Sequence, residues 1–490
     1  MKCSRGMNPG LFFITASNMP GTLFPYIYRP GGWGMSIMQA LVQMPFIAVF
    51  GLTSFALRLP AAILGCITLY AFYYICRSVK NEEFALFATF ILAVMPWHIM
   101  QSRWALDCNY FAGFITISIA LLIKASVNNK FLPLAFFFIG ATLYTYALPW
   151  TVMPLFVLGS IIYLLCSKSI KNQWCMIGSI AILALMALPL LLFIAVNMNL
   201  MHEVVTPFIS IPKISHFRSD ELSLSPKTMM SHLTSAFNMF VKQDDGTLLG
   251  TTAAFGLYYK ISGIFILIGL AECIYSFFST KKMIGNEVYI ILLFICSIII
   301  AASTEIYFYR MNIIQIPMTF FLVGGLWYLT DIFTHRSKEV VIVMYSILCF
   351  FFIIFYITDY DSSVAKFFND GNKAAIEYVK EQRSSGALKD GNTVHVVSGM
   401  SFTAALFYEQ YPTDKYVKEV VYGDTSVTGV RELAQSFGDY HFYYNETLPE
   451  TPKAGDIFIC EHDDADTIEY MEAHNMQINH FTNMVVGTMP

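Results

Sequence analysis

Apolar residues dominate long stretches of this chain with few charges between them. Windows long enough to cross about 30 Å of hydrocarbon fall at 57–76, 84–100, 108–126, 131–148, 150–166, 174–196, 257–278, 287–302, 311–331 and 339–357. Each predicts a helix. The segment 35–50 is also apolar but short, and Gln39, Gln43 and Pro45 interrupt it, which suits a helix lying at the membrane interface. From about 360 onward charged residues become frequent and apolar residues alternate with polar ones. Short strands are expected at 394–397, 440–444, 457–460 and 483–486, with helices at 366–382, 401–411, 426–437 and 465–475. That pattern describes a small α/β domain, and the expected division is 1–56, a bundle over 57–358, and 359–490.

Composition agrees with the pattern. Of 490 residues, 56% are apolar and 13% charged, with a mean hydropathy of +0.56, which excludes a water-soluble globule. A strand-built barrel would give a weaker, alternating signal, so the fold class is a polytopic α-helical membrane protein with a C-terminal α/β domain. The net charge of −4 comes with no stripe of Lys and Arg, which excludes nucleic acid as a partner. Most of the ten cysteines fall inside apolar runs and form no disulfide framework.

Lysine and arginine set the sidedness. Arg77 with Lys80, Lys124 with Lys130, Lys168 with Lys171, Lys281 with Lys282, and Arg336 with Lys338 occupy every second loop and so share one face, the cytoplasmic one. The turns at 98–107 and 303–310, the long loop 197–256 and everything after 358 then lie on the extracytoplasmic side. Charged groups at span ends on that side are Arg58, Arg103 with Asp107, and Arg310, which lies beside the polar Asn312. None lies at mid-membrane, where a coupled transporter would need a polar relay. The loop adds Lys213, Arg218, Asp244 and Asp245. Cations of this kind suit a phosphate, and arginine does so through a two-pronged fork. Asp244 and Asp245 could ligate a divalent cation, the one cofactor the sequence raises, or form a solvated turn before Gly246. His98, Tyr144, Tyr146 and Trp150 read as anchors of an aromatic belt, with a sugar-stacking platform as the second reading for the tyrosines and Trp150.

Several segments together resemble a known family. Arg58-Leu59-Pro60, the run from Pro96 to Asp107, Leu143 to Ala147, Ser210 to Lys213, Phe217-Arg218-Ser219 and Arg310-Met311-Asn312 are similar to bacterial membrane glycosyltransferases related to protein O-mannosyltransferases and the lipid A aminoarabinose transferase. The resemblance implies a GT-C fold in a bacterial cytoplasmic membrane, with its site facing the extracytoplasmic side. It also implies a polyprenyl-phosphate-linked sugar donor and inverting transfer to an acceptor glycan, lipid or protein. Carried over residue by residue, it gives Arg103, Arg218 and Arg310 to the donor phosphate, with Arg58 and Lys213 as further candidates. Asp107 is the acidic group retained on the same side, although an i,i+4 pair with Arg103 would also explain it.

The sequence departs from the family at one place. Relatives carry an Asp-Glu motif after the first span, whereas no Asp or Glu precedes Glu82 here. Residues 1–56 thus resemble a remnant of the first extracytoplasmic loop, implying either a start that lies upstream or a truncated copy unable to catalyse transfer. A lipid-linked saccharide flippase or other transporter, and a non-catalytic membrane partner, are the competing functions.

Overall fold

Each apolar window contains helix in the computed structural model, which describes residues 26–29, 33–205, 210–211, 213, 225–248, 250–279, 285–305, 307–333, 336–367, 370–423, 433–444 and 446–490. A short hairpin, β1 (Tyr26–Arg29) and β2 (Trp33–Ser36), leads into α1 (Ile37–Phe50). The glutamines of α1 are structural. Gln39 donates to the Ala105 carbonyl at 2.5 Å and Gln43 to the Leu57 carbonyl at 2.7 Å, which fixes this short helix across the end of the bundle.

Helix α2 (Ser54–Val79) starts where Thr53 accepts the Ala56 N–H at 3.1 Å. The window at 84–100 breaks into α3 (Glu82–Ala93) and α4 (Pro96–Arg103), bent by 61°. Pro96 is the cause, because it lacks an N–H and its ring forbids the helical conformation to Met95, which is extended. There follow α5 (Tyr110–Val127), α6 (Leu132–Thr142), α7 (Met153–Cys166), α8 (Gln173–Asn197), α9 (Pro226–Lys242), α10 (Ser262–Ser279), α11 (Val288–Ser303), α12 (Gln315–Ile332) and α13 (Ser337–Ile357). Among the described residues five of these helical segments are long and apolar enough to cross a membrane, or six if the bent pair counts as one span. The 131–148 window is shorter as a helix than its apolar run, ending at Thr142 before a 3-10 turn at Leu148–Thr151.

The bundle has two chemically distinct ends. At one, Lys338 pairs with Glu83 at 2.9 Å and Asp331 at 3.8 Å, Lys80 pairs with Asp331 at 3.5 Å, and Lys338 lies 3.8 Å above the Trp327 ring. At the other lie Arg58, Arg103 and Arg310. The grouping of Lys80 with Lys338, and the placement of the three arginines opposite them, is the segregation the loop charges predict. In a further pair of adjacent loops, Asn129 accepts the N–H groups of Lys171 and Asn172.

Helix α14 (Asp359–Phe367) links the bundle to the second domain. Here α15 (Gly371–Ser384), α16 (Phe402–Glu409), α17 (Thr413–Glu419) and α18 (Ala465–Ala473) surround a seven-stranded sheet. Its strands are β5 (Val394–Val396), β6 (Val421–Tyr422), β7 (Ala434–Phe437), β8 (Tyr440–Phe442), β9 (Ile457–Glu461), β10 (Gln477–Phe481) and β11 (Met484–Thr488), in the order β10-β11-β9-β5-β8-β7-β6. The central strand β5 runs parallel to β8 and β9, and the outer pairs are antiparallel. The small two-residue pair β3 (Val204–Val205) and β4 (Ser210–Ile211) belongs to the long loop of the bundle. One expectation is overturned. Residues 434–437 form a strand, not the end of a helix, because Gly438 adopts φ +57 and Gly438-Asp439 turns the chain back so that Phe437 faces Tyr440. The rest of that segment, 424–432, lies outside the described residues.

The domain meets the bundle at its arginine end. Phe407 of α16 packs beside Ile47, Leu52 and Ala56 at the corner of α1 and α2. The Arg58 charge is felt by Tyr408 in the next position.

Candidate functional site

The end of α4 shows why the sequence builds a site here. The helix stops at Arg103, Trp104 and Leu106 are extended, and the chain re-coils as a 3-10 turn at Asp107–Asn109 before α5. A second 3-10 turn, Phe308–Arg310, packs against it, and a third at Asn312–Ile314 opens α12. Asp107 and Arg310 thus both lie within electrostatic range of Cys108. The helical turn that would pair Arg103 with Asp107 at i,i+4 does not form, which corrects that expectation. Asp107 is 6% exposed, and its Oδ1 accepts the Cys108 N–H at 2.8 Å.

An amide network ties these turns together. Gln101 donates to Asn312 Oδ1 at 2.5 Å, Asn312 donates to Asn109 Oδ1 at 3.0 Å, and Asn109 donates to the Trp104 carbonyl at 2.8 Å. Gln101 Oε1 stays buried with no hydrogen-bond partner, an acceptor open to a hydroxyl. It borders a small cleft between α2, α4 and α5 lined by Gly65, Thr68, His98, Gln101, Ser102 and Tyr110. Gly65 is required there, because a Cβ would lie 2.2 Å from Ser102 Oγ.

Arg103 is exposed, and its guanidinium lies 4.8 Å from the centre of the Tyr356 ring. Arg58, also exposed, acts electrostatically on the same tyrosine. Arg310 is half-buried and lies 5.6 Å from the Tyr307 ring centre. These three arginines gather at one end of the bundle. Lys213 is held elsewhere on the long loop, with Nζ donating to Asn199 at 2.6 Å and its N–H to Glu203 at 2.9 Å. Arg218 lies outside the described residues.

The acidic pair of the loop forms turns. Asp244 Oδ1 accepts the Gly246 N–H at 3.0 Å. Asp245 Oδ1 accepts the Thr247 N–H and hydroxyl at 3.0 and 2.8 Å, and its Oδ2 accepts the Phe308 N–H at 2.8 Å. Among the described residues no group of three His, Cys, Asp or Glu is placed to hold a metal ion. His98 also departs from its expected place in an aromatic belt. It is 7% exposed, with Nε2 3.3 Å from the Gly65 carbonyl oxygen. Tyr144 and Trp150 each donate to a backbone carbonyl, of Met186 and Leu143.

Sequence reasoning missed Asn109, Tyr356 and Tyr360. The tyrosines carried a signal in the spacing Phe352, Tyr356, Tyr360, one ring per helical turn at the end of an apolar run. Asn109 carried none, since a single amide after a cysteine has no pattern.

Comparison with known proteins gives the arrangement a context. Residues 35–193 match the family model described as dolichyl-phosphate-mannose-protein mannosyltransferase. No curated protein matches the chain. The structure is similar to ArnT from Cupriavidus metallidurans bound to undecaprenyl phosphate, with a TM-score of 0.54 at 12% identity over 99% of this chain and 94% of that one. Archaeal oligosaccharyltransferase AglB from Archaeoglobus fulgidus, in complex with an inhibitory peptide and a dolichol-phosphate, matches at a TM-score of 0.46 and 12% identity over 83% of this chain and 60% of that one. The likeness to ArnT shows that the chain has the GT-C fold, and the family match over residues 35–193 agrees with the resemblance to membrane glycosyltransferases read from its sequence.

Proposed function

We propose that this chain moves a sugar from a polyprenyl-phosphate donor to an acceptor at the arginine end of its bundle, on the extracytoplasmic face of a bacterial cytoplasmic membrane. The gathering of Arg103 and Arg310 at one end of a GT-C fold, opposite the lysine cluster, carries this reading. A lipid-linked donor is reached at the membrane boundary, where the two guanidiniums would neutralise its phosphate, with Arg58, Arg218 and Lys213 as further cations. The acceptor oxygen or nitrogen attacks the anomeric carbon from the side opposite the phosphate. The bond from that carbon to the phosphate oxygen breaks, its electron pair leaves with the phosphate, and the configuration inverts. The phosphate leaves as an anion and needs no acid; the acceptor's proton passes to a carboxylate.

Asp107, whose charge acts on Cys108 as that of Arg310 does, is the candidate for that proton. Its Oδ1 is engaged by the Cys108 N–H, and this favours a second reading, a chain that binds the lipid carrier without catalysing transfer. Membranes containing the full chain, supplied with undecaprenyl phosphate carrying radiolabelled mannose, separate the two. Transfer that falls by about tenfold or more in Arg103→Ala and Arg310→Ala supports the phosphate role. Unchanged transfer in both variants removes that role. Carrier binding without product supports the second reading, and flux across proteoliposomes without product supports a transporter.

A further inference from the structure

We infer that Asp245, Tyr356 and Tyr360 form one clamp that sets the spacing of Arg103 and Arg310. They are positioning residues for the phosphate site, and the inference rests on the reading of that site given above. The two arginines come from distant parts of the chain, on short turns that need outside support. The Phe308–Arg310 turn gets it from Asp245, whose Oδ2 accepts the Phe308 N–H at 2.8 Å, so a carboxylate caps the first donor of the turn. The other Asp245 oxygen folds residues 245–247 back on themselves.

Arg103 is supported from the opposite side. Its guanidinium lies over Tyr356, and that ring stacks on Tyr360 with centroids 5.1 Å apart and planes 20° from parallel. Tyr356 in turn stacks on Phe352 at 5.4 Å, so the ladder is rooted in α13. The Tyr360 hydroxyl donates to the Leu248 carbonyl at 2.5 Å, three positions beyond Asp245. That bond joins the two supports. Contact runs unbroken from Arg103 through Tyr356 and Tyr360 to the 245–248 turn, then through Asp245 to Phe308 and Arg310. A phosphate shared by both guanidiniums would be sensitive to any loosening of this path, because misplacement by about 1 Å costs on the order of a hundredfold in productive geometry.

Binding of undecaprenyl phosphate to the full chain in nanodiscs tests the clamp, with undecaprenol as the uncharged control. Asp245→Ala is expected to weaken undecaprenyl phosphate binding about tenfold. Asp245→Asn, which keeps an acceptor oxygen, should recover most of the loss. Tyr360→Phe removes one oxygen and is expected to cost about threefold. Undecaprenol binding should stay constant throughout. If Arg310→Ala binds undecaprenyl phosphate like the unaltered protein, the phosphate site itself is wrong. If Arg310→Ala loses binding while Asp245→Ala and Tyr360→Phe keep it, the clamp is wrong and the site stands. Should Asp245→Ala not fold, Tyr360→Phe decides alone. An Asp245→Asn variant that stays as weak as Asp245→Ala, with chelator reproducing the loss in the unaltered protein, would replace the clamp with a metal site.

Discussion

Replacing Asn312 by leucine strikes the amide network where it joins α4, the Asp107–Asn109 turn and α12. Asn312 is 2% exposed and makes two bonds, accepting from Gln101 at 2.5 Å and donating to Asn109 at 3.0 Å. Leucine fills a similar volume but leaves the Gln101 donor without a partner and the Asn109 acceptor with the Cys108 thiol alone, 3.8 Å away. At about 1–3 kcal/mol for the orphaned donor and somewhat less for the weakened acceptor, the loss would reach roughly 2–5 kcal/mol. Hydrogen bonds between membrane helices measure closer to about 0.6 kcal/mol each, and the added apolar side chain returns up to about 2 kcal/mol. A net loss of about 1–4 kcal/mol is the expectation. Reversible unfolding of the purified full chain in detergent or bicelles reads it directly. Gln101→Leu should destabilise as well, but the double variant should lose less than the sum by about 1 kcal/mol, since one orphaned donor is then removed. A loss below about 0.5 kcal/mol for Asn312→Leu, or full additivity, would refute the network as a structural unit.

Gly325→Ala should separate α10 from α12, because its Cβ would lie 2.0 Å from the Phe265 carbonyl oxygen, whereas Gly324→Ala meets nothing closer than 4.0 Å. A loss of about 1–3 kcal/mol for Gly325→Ala and little change for Gly324→Ala in the same unfolding assay is expected. In the second domain His395 is held below the ordinary histidine value, chiefly by burial, with Asp456 opposing that shift. The depressed folded value means that its contribution is complete above the unfolded value of 6.5 and declines as pH falls below it. Protection of the β5 and β9 amides in the full chain, corrected for the intrinsic exchange rate at each pH, should therefore fall from about pH 6.5 downward, and His395→Gln should flatten that dependence. Met230→Cys and Lys418→Cys, in a cysteine-free background, should both react with an impermeant thiol reagent in intact cells. Reaction of both only after lysis would reverse the proposed orientation.

The parts of this fold legible in the sequence are those fixed by local physics. Charge-poor runs became helices, and Lys80 and Lys338, from two of the alternate loops, meet at Asp331. The strands at 394–396 and 457–461 followed from alternation and apolar character. What escaped was set by contacts between distant segments. The bend at Pro96 was written in the sequence, but the extended residues Trp104 to Leu106 that turn Asp107 away from Arg103 depend on Gln39 and Asn109 binding their carbonyls. The strand at 434–437 is stabilised by its partner β8 across a Gly-Asp turn, a signal available in the sequence that the helical spacing of 426–437 obscured. Arg103 and Arg310 were readable as candidates because arginine at a span end is conspicuous. Their supports, Tyr356 and Asp245, became visible only when the last membrane helix and the long loop were brought together.

The central claim is that Arg103 and Arg310 hold the phosphate of a lipid carrier. Its most direct test is the ratio of affinities for undecaprenyl phosphate and undecaprenol, measured in nanodiscs with the full chain and with the Arg103→Ala, Arg310→Ala double variant. The account predicts a preference for the phosphate of about a hundredfold or more in the unaltered protein, reduced by at least about tenfold in the double variant, with undecaprenol bound equally by both. Equal binding of phosphate and alcohol by the unaltered protein, or a preference untouched by loss of both guanidiniums, would contradict it.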